Sequence, residues 1–382
     1  MFKIAMRETL STKKKIIMRL FPVLSAILCS MIVLAFMHLN PFEVYGNIFA
    51  GCFGTFYRFK QVVYKAVPLT VLSLGCCVAF KMKFWNIGAE GQFYMGAFAA
   101  TWAYTLFPNL PAPVMLPFMA LFAFLFGGIF SLIPALLKIK WGTSETLVTL
   151  MLNYVAQKWV SYLKYSYLPW RDPNGGGSPK IFTFSGNGIL PNVLGIHAGW
   201  IIAIVFVVAM YFILKKTKFG YEVSIIGESF DTARYAGINV ARTIVIAVVL
   251  SGGLCALAGM IQASAIEHSL TDNMSNGMGF TAVITTWLSQ LDPLISLLVS
   301  FAFSVLLQGG SYLQTSMGVP ASMGTIIQTI IIFFVLGSEF FVRYKLTVEG
   351  KKKLLPKSVE KDAGTENVIS ENSMTTVSGE QS

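Results

Sequence analysis

Two segments carry side chains out of keeping with their surroundings. Phe84-Trp-Asn-Ile-Gly-Ala-Glu-Gly-Gln-Phe sets Trp85, Asn86, Glu90 and Gln92 in an apolar context. Gly88 and Gly91 let the backbone bend there. An ionised side chain at membrane depth costs about 2.5–3.5 kcal/mol on insertion scales, so Glu90 needs a reason. One reason is a broken helix lining a wet cavity, where irregular backbone is tolerated, with Asn86, Glu90 and Gln92 hydrogen-bonding a passing solute. The other is that Glu90 caps free N–H groups at a helix start. The spacing leaves both open. The second segment is Thr143-Ser-Glu-Thr-Leu-Val-Thr-Leu-Met-Leu-Asn-Tyr. Ser144 can N-cap a helix beginning at Glu145, and Thr146, Thr149 and Asn153 then form a polar stripe. Such a stripe on a membrane helix faces protein or water. Thr149, Asn153 and the adjacent Tyr154 therefore either line a pathway or join helices by hydrogen bonds. On the pathway reading, Asn153→Leu changes solute affinity or flux without loss of folding.

A third segment, Lys218 to Asn239, is polar and carries both charge signs. Ser229 suits an N-cap, Asp231 and Thr232 suit a first helical turn, and Gly237 suits a C-terminal cap. The spacing predicts a short helix over about 230–236, outside the membrane, presenting Phe230, Ala233, Arg234 and Tyr235. Such a helix suits docking to a soluble partner; the plainer reading is a solvated loop.

Other chemistry is missing. The chain has no G-x-x-x-x-G-K-[ST] phosphate loop, no zinc motif and no nucleophile elbow. Cys29, Cys76, Cys77 and Cys255 lie in apolar runs and Cys52 beside one, as inert buried thiols do. His38, His197 and His268 are far apart in sequence. No catalytic residue, resident cofactor or metal ligand is expected. A solute moved uphill would draw energy from an ion gradient or from another polypeptide.

The elements that must hold these segments follow from composition. The 382 residues are 55% hydrophobic and only 12% charged, half the roughly 25% of soluble domains. No charge occurs in the 47 residues between Glu90 and Lys138, or in the 46 between Asp292 and Glu339. A crossing helix needs about 20 apolar residues, so each run holds two. This excludes a soluble enzyme, a disordered chain and a disulfide-stapled secreted domain. The expected fold is all-α, a polytopic helical membrane protein of about ten transmembrane helices, solvated by lipid. The spans are 20–38, 62–80, 89–107, 113–137, 144–164, 199–214, 243–262, 278–290, 293–312 and 322–342. The segment 278–290 is short for a full span, so it either crosses or re-enters. Residues 165–198, rich in Gly, Pro and Asn, read as an external loop.

The net charge of +11 follows topology rather than nucleic acid. On this layout 22 of the 29 Lys and Arg fall on segments facing the cytoplasm, which places both termini there. The chain divides into a basic cytoplasmic N-terminus (1–19), a membrane domain (20–342) with a cytoplasmic loop (216–242), and a polar, disordered cytoplasmic tail (343–382).

Thr232-Ala-Arg-Tyr-Ala-Gly-Ile-Asn resembles the coupling loop of ABC importer permeases, in the branch containing nucleoside, simple-sugar and branched-chain amino-acid permeases. Its first element is loosely matched, with Asp231-Thr232-Ala233 where Glu-Ala-Ala is usual. Phe84-Trp-Asn-Ile-Gly-Ala-Glu-Gly-Gln, Glu145-Thr-Leu-Val-Thr-Leu-Met-Leu-Asn-Tyr and Gly277-Met-Gly-Phe-Thr-Ala-Val look like segments of the nucleoside-type permeases. The resemblance covers about 60–340. One departure is Thr285-Thr-Trp-Leu-Ser-Gln-Leu-Asp-Pro, where that family shows an Ala-Leu-Leu-Gly-like run.

The resemblance implies a multi-pass permease subunit in the plasma (cytoplasmic) membrane of a prokaryote, forming a translocation pathway for nucleosides. It implies a second permease subunit, self or paralogue. It also implies a cytoplasmic ABC ATPase that binds the ATP and an extracytoplasmic substrate-binding protein. The ATPase would push on Ser229, Asp231, Thr232, Ala233, Arg234, Tyr235 and Gly237. Other readings are a ribose- or galactose-type sugar permease and an ion-coupled secondary transporter acting alone.

Overall fold

The computed structural model of the protein describes residues 2–6, 12–165, 170, 181–320, 324–327, 329–331, 333–334, 337 and 344–348. The helices are α1 (Thr12–Phe36), α2 (Pro41–Phe53), α3 (Phe56–Lys81), α4 (Ala89–Leu106), α5 (Ala112–Trp141) and α6 (Glu145–Leu163). After the loop come α7 (Gly199–Lys216), α8 (Lys218–Glu228), α9 (Phe230–Tyr235), α10 (Val240–Ile261), α11 (Met278–Leu288) and α12 (Pro293–Met317). Among the described residues there are also four short strands: β1 (Phe2–Met6), β2 (Asn192–Val193), β3 (Ile196–His197) and β4 (Tyr344–Val348). Two units separate. In the smaller, β1 and β4 pair antiparallel, Phe2 opposite Val348. The tail expected to be disordered lies, from residue 349 onward, outside the described residues.

The larger unit is a helical bundle around two helices. In their apolar stretches 83% of α3 and 78% of α10 is buried, against 33% of α5 and 28% of α7 and α12. A helix apolar on every side belongs inside. The outer helices keep apolar faces for lipid, with Leu121, Leu125, Ile129, Val205, Val208 and Leu298 exposed. With no hydrophobic force between helices in lipid, close approach is what joins them, and small residues allow it. A Cβ on Gly96 would sit 2.1 Å from the Ala256 carbonyl oxygen, and one on Gly259 would sit 1.9 Å from that of Phe93. The backbones of α4 and α10 therefore touch. We expect Gly259→Leu to abolish recovery of monodisperse protein from membranes, and size-exclusion profiles of the solubilised variant check this.

Five helices are long and apolar enough to cross a membrane by length and composition, namely α3, α5, α7, α12 and α10 with its continuation to Glu267. The bent pair of Leu24–Phe36 and α2, at 117°, brings the number to six among the described residues. The helix α2 was not anticipated. Asn40 caps it by accepting from the Phe42 N–H, and Pro41 occupies its first turn. It lies along α12, where Cys52 Sγ donates to the Val305 carbonyl and Gly309 approaches Ile48. Its 13 residues, interrupted by Glu43 and Asn47, are too few for a span. The first helix also begins at Thr12, inside the segment read as an N-terminal extension. The tenth expected span, 322–342, is only partly described, and the described residues of 324–337 are helical.

The bundle has two distinct ends. At one, Lys138 pairs with Glu145, Lys215 pairs with Asp292, and Lys81 Nζ donates to the Leu214 carbonyl. At the other, Lys164 pairs with Asp272, Asn187 donates to the Pro108 carbonyl, and the Leu270 N–H donates to the Phe182 carbonyl. The segment 268–291 starts at the second end and finishes at the first. Its helix α11 has 11 residues, about 16 Å long, roughly half the hydrocarbon thickness. The irregular stretch 268–277 supplies the rest. Buried irregular backbone at that depth needs partners. The Tyr94 hydroxyl donates to the Asp272 carbonyl at 2.8 Å.

Candidate functional site

The break between α3 and α4 is held by buried polar side chains. Asn86 Nδ2 donates to Gln92 Oε1 and to Ser251 Oγ of α10, both at 3.1 Å. Asn86 Oδ1 accepts from the Gly88 N–H at 3.0 Å and from Gln92 Nε2 at 3.1 Å. On α6, Asn153 spans the break: its Oδ1 accepts from the Gly91 N–H and its Nδ2 donates to the Ile87 carbonyl, each at 2.8 Å. Thr149 is buried and its hydroxyl donates to the Thr146 carbonyl. Helix starts leave free N–H groups, and here amides from other positions take them up.

Glu90 does the same for a different helix. Its Oε2 accepts from the Gly279 N–H at 2.8 Å, and its Oε1 accepts from the Ser275 hydroxyl. Gly277, at φ +77, precedes α11 without a side-chain cap of its own. A carboxylate at a helix N-terminus is favoured by the macrodipole. Glu90 is thus a cap supplied across the fold, 189 positions away from Gly279.

The remaining two residues of this set lie apart. Trp85 stacks on Trp287, centroids 5.1 Å apart and planes at 19°. Its partner belongs to the run that departs from the family pattern. Tyr154 is 58% exposed on the outer side of α6 and joins none of these contacts. The structure therefore brings together Asn86, Glu90, Gln92, Thr149 and Asn153 as a braced junction, with Trp85 at its edge and Tyr154 outside.

The short helix expected over 230–236 is α9. Ser229 accepts from the Thr232 N–H at 3.3 Å. At the other end Gly237, at φ +74, donates its N–H to the Arg234 carbonyl at 3.0 Å. Ala233 is fully buried and anchors the helix, while Asp231, Thr232, Arg234 and Tyr235 are exposed, Tyr235 by 93%. The helix stands on a firm base. Glu222 of α8 accepts from the Thr243 hydroxyl of α10 at 3.0 Å. A Cβ on Gly227 would sit 2.1 Å from the Lys81 carbonyl oxygen. At the same end, burial would raise the Asp292 carboxyl, but the Lys215 ammonium and the N–H groups of Leu294 and Ile295 outweigh it and hold it below the ordinary carboxylate range. The helix α9 thus packs on α8 and α10, and α8 in turn on α7.

A cavity of about 500 Å³ lies between α3, α11, α12 and the helical residues at 324–325. Lys65, Asn276, Thr281, Ser311, Gln314 and Thr325 supply its polar wall. None of these was singled out from the sequence. Thr281 lies within the Gly277-Met-Gly-Phe-Thr-Ala-Val segment, but Lys65 and Gln314 sit in no motif, and their meeting depends on the packing of α3 against α12. Among the described residues no group of three His, Cys, Asp or Glu is placed to hold a metal ion.

Comparison with known proteins adds to this geometry. The family described as "Branched-chain amino acid transport system / permease component" matches residues 58–336. The glucose ABC transporter permease protein TsgB13 of Haloferax volcanii is 33% identical over 342 residues, covering 85% of this chain and 88% of that protein. The nucleoside ABC transporter permease protein NupB of Lactococcus lactis is 28% identical over 333 residues, covering 85% and 91%. The guanosine ABC transporter permease protein NupP of Bacillus subtilis is 28% identical over 312 residues, covering 81% and 88%.

Proposed function

The chain belongs to the branched-chain amino acid transport system / permease component family, and on that premise we propose that it forms the translocation pathway of a nucleoside importer driven by ATPase subunits in trans. Membership makes it a transport component of the ABC type and not an enzyme. The observation that carries the coupling half of the reading is α9, a capped helix with an exposed Arg234 and Tyr235, rooted between α8 and α10. A chain without a phosphate loop needs an outside engine, and this helix is where one would press.

The complete unit holds two such permease subunits, a cytoplasmic ATPase that binds the ATP, and an extracytoplasmic binding protein that delivers the solute. It sits in the plasma membrane of a prokaryote, crosses about ten times and keeps both termini in the cytosol. Pairing of β1 with β4 supports termini on one side, since strands joined by hydrogen bonds cannot lie on opposite faces of a bilayer. Asn86, Glu90, Gln92, Thr149 and Asn153 serve the pathway as braces of the helix break beside it, and Ser229, Asp231, Thr232, Ala233, Arg234, Tyr235 and Gly237 form the docking lever.

Nucleosides are favoured by the three segments that look like those of nucleoside-type permeases and by relatives named for nucleoside and guanosine transport. A simple sugar is the second reading, favoured by the 33% identical relative named for glucose. Both solutes are neutral and polyhydroxylated. The test is uptake by the complex reconstituted with its ATPase and binding protein, using radiolabelled adenosine and guanosine in competition with glucose and ribose. The nucleoside reading expects ATP-dependent uptake of the nucleosides that excess sugar does not reduce. Uptake confined to sugars overturns it.

A further inference from the structure

Lys65 is the last cation of the basic first part of α3, and the residues that follow it carry no charge down to Lys81. Its ammonium donates to the Leu307 carbonyl at 3.2 Å and to Ser311 Oγ at 2.8 Å. An ammonium has three donors and no acceptor, so one N–H is left over among the described residues. No carboxylate pairs with it among the described residues, and none lines the cavity it faces. The Glu90 carboxylate is committed to Ser275 and Gly279, which flank the wall residues Asn276 and Met278. Glu90 thus shapes the cavity without lining it.

A cation inside a membrane domain is costly unless paired or hydrated. Here it is placed on a space large enough for a small solute, since ligand pockets run about 300–1,000 Å³. The other polar walls are hydroxyls and amides, which give and accept hydrogen bonds without charge. We propose that this cavity is the cargo chamber of the permease, and that Lys65 is a specificity-determining residue that binds an acceptor oxygen of a neutral or anionic polyhydroxylated solute and turns away cationic ones. The cargo half of this inference rests on the permease reading above; the electrostatic half does not.

The two halves are tested separately. For the electrostatic half, Gln314→Cys in membrane vesicles is labelled with two methanethiosulfonates of similar size, one sulfonate and one trimethylammonium. Rates are normalised to the same pair on Tyr165→Cys, a position 77% exposed, and the native cysteines are subtracted with the parent chain. The Lys65 charge should favour the anionic reagent. Adding Lys65→Gln should lower the anionic-to-cationic ratio about tenfold, as removal of a nearby unit charge does in a partly screened site, while Lys65→Arg should keep it. An unchanged ratio in Lys65→Gln, or no labelling of Gln314→Cys from either side, overturns the filter. A monodisperse size-exclusion profile of each solubilised variant, like that of the parent, shows that the variants are folded.

For the cargo half, the reconstituted complex is offered adenosine and 5′-amino-5′-deoxyadenosine, which is cationic at neutral pH. The parent should prefer adenosine, Lys65→Gln should lose that preference by about tenfold, and Lys65→Arg should retain it. A bare structural bracket between α3 and α12 would slow both solutes equally in Lys65→Gln, and that result refutes the specificity role. A charge bias in labelling together with no nucleoside uptake retains the filter and refutes the nucleoside cargo.

Discussion

Arg234→Glu should reduce ATP-driven uptake about 100-fold while leaving the amount of protein in the membrane unchanged. Arg234 is exposed on α9 and makes no ion pair among the described residues, so its loss takes nothing from the fold. Its charge is available to a partner. Breaking one side of a docked charged pair costs about 2–5 kcal/mol, and each 1.4 kcal/mol is tenfold. Gly237→Pro should match it by another route. Gly237 sits at φ +74 with its N–H bonded to the Arg234 carbonyl. Proline is fixed near φ −65° and has no N–H, so the end of α9 must unwind. Co-purification of the ATPase and uptake in proteoliposomes check both. Normal uptake by the two variants removes α9 from coupling.

Asn153→Leu should destabilise the fold rather than retune transport. Leucine would leave the Gly91 N–H and the Ile87 carbonyl without their partner in a buried place. Each buried polar group left unsatisfied costs about 1–3 kcal/mol, so a loss of about 2–6 kcal/mol is expected for the two. Of the two readings open in the sequence, the pathway one, altered flux with folding intact, needs Asn153 to face solute; its amide is bonded to backbone instead, as the helix-joining one requires. The adjacent Tyr154→Leu is the control, because an exposed side chain without polar partners changes stability by about 0.5 kcal/mol or less. Thermal unfolding of the detergent-solubilised variants should show a marked drop for Asn153→Leu and none for Tyr154→Leu. Equal melting temperatures would return Asn153 to the pathway.

Local rules carried the sequence reading where structure is local. The caps at Ser229 and Gly237 lie within one helical turn of the groups they satisfy, so the extent of α9 could be read from residue types. The apolar runs likewise marked α3, α5, α7, α10 and α12. Where contacts are distant, the reading ran out. Glu90 could be recognised as a cap, but the helix it caps begins nearly two hundred positions later, and nothing in its neighbourhood points there. Lys65, Asn276 and Gln314 share a cavity wall only because α3, α11 and α12 pack together; as a sequence, Lys65 is one more cation at the edge of an apolar run. The helix α2 escaped because Glu43 and Asn47 interrupt its apolar pattern, while its stability comes from packing against α12. Trp287 falls where the family pattern lapses, and only the fold shows that it stacks on Trp85.

On the proposed function, this permease supplies a route and no driving force. The direct measurement compares nucleoside accumulation in proteoliposomes holding this chain by itself, under an imposed proton or sodium gradient, with accumulation in vesicles that also hold its ATPase and binding protein with ATP. Accumulation is expected only in the second case, and a non-hydrolysable ATP analogue should abolish it. Accumulation by the chain by itself, sustained by an ion gradient, would show that it is an ion-coupled carrier and not the passive half of an ATP-driven importer.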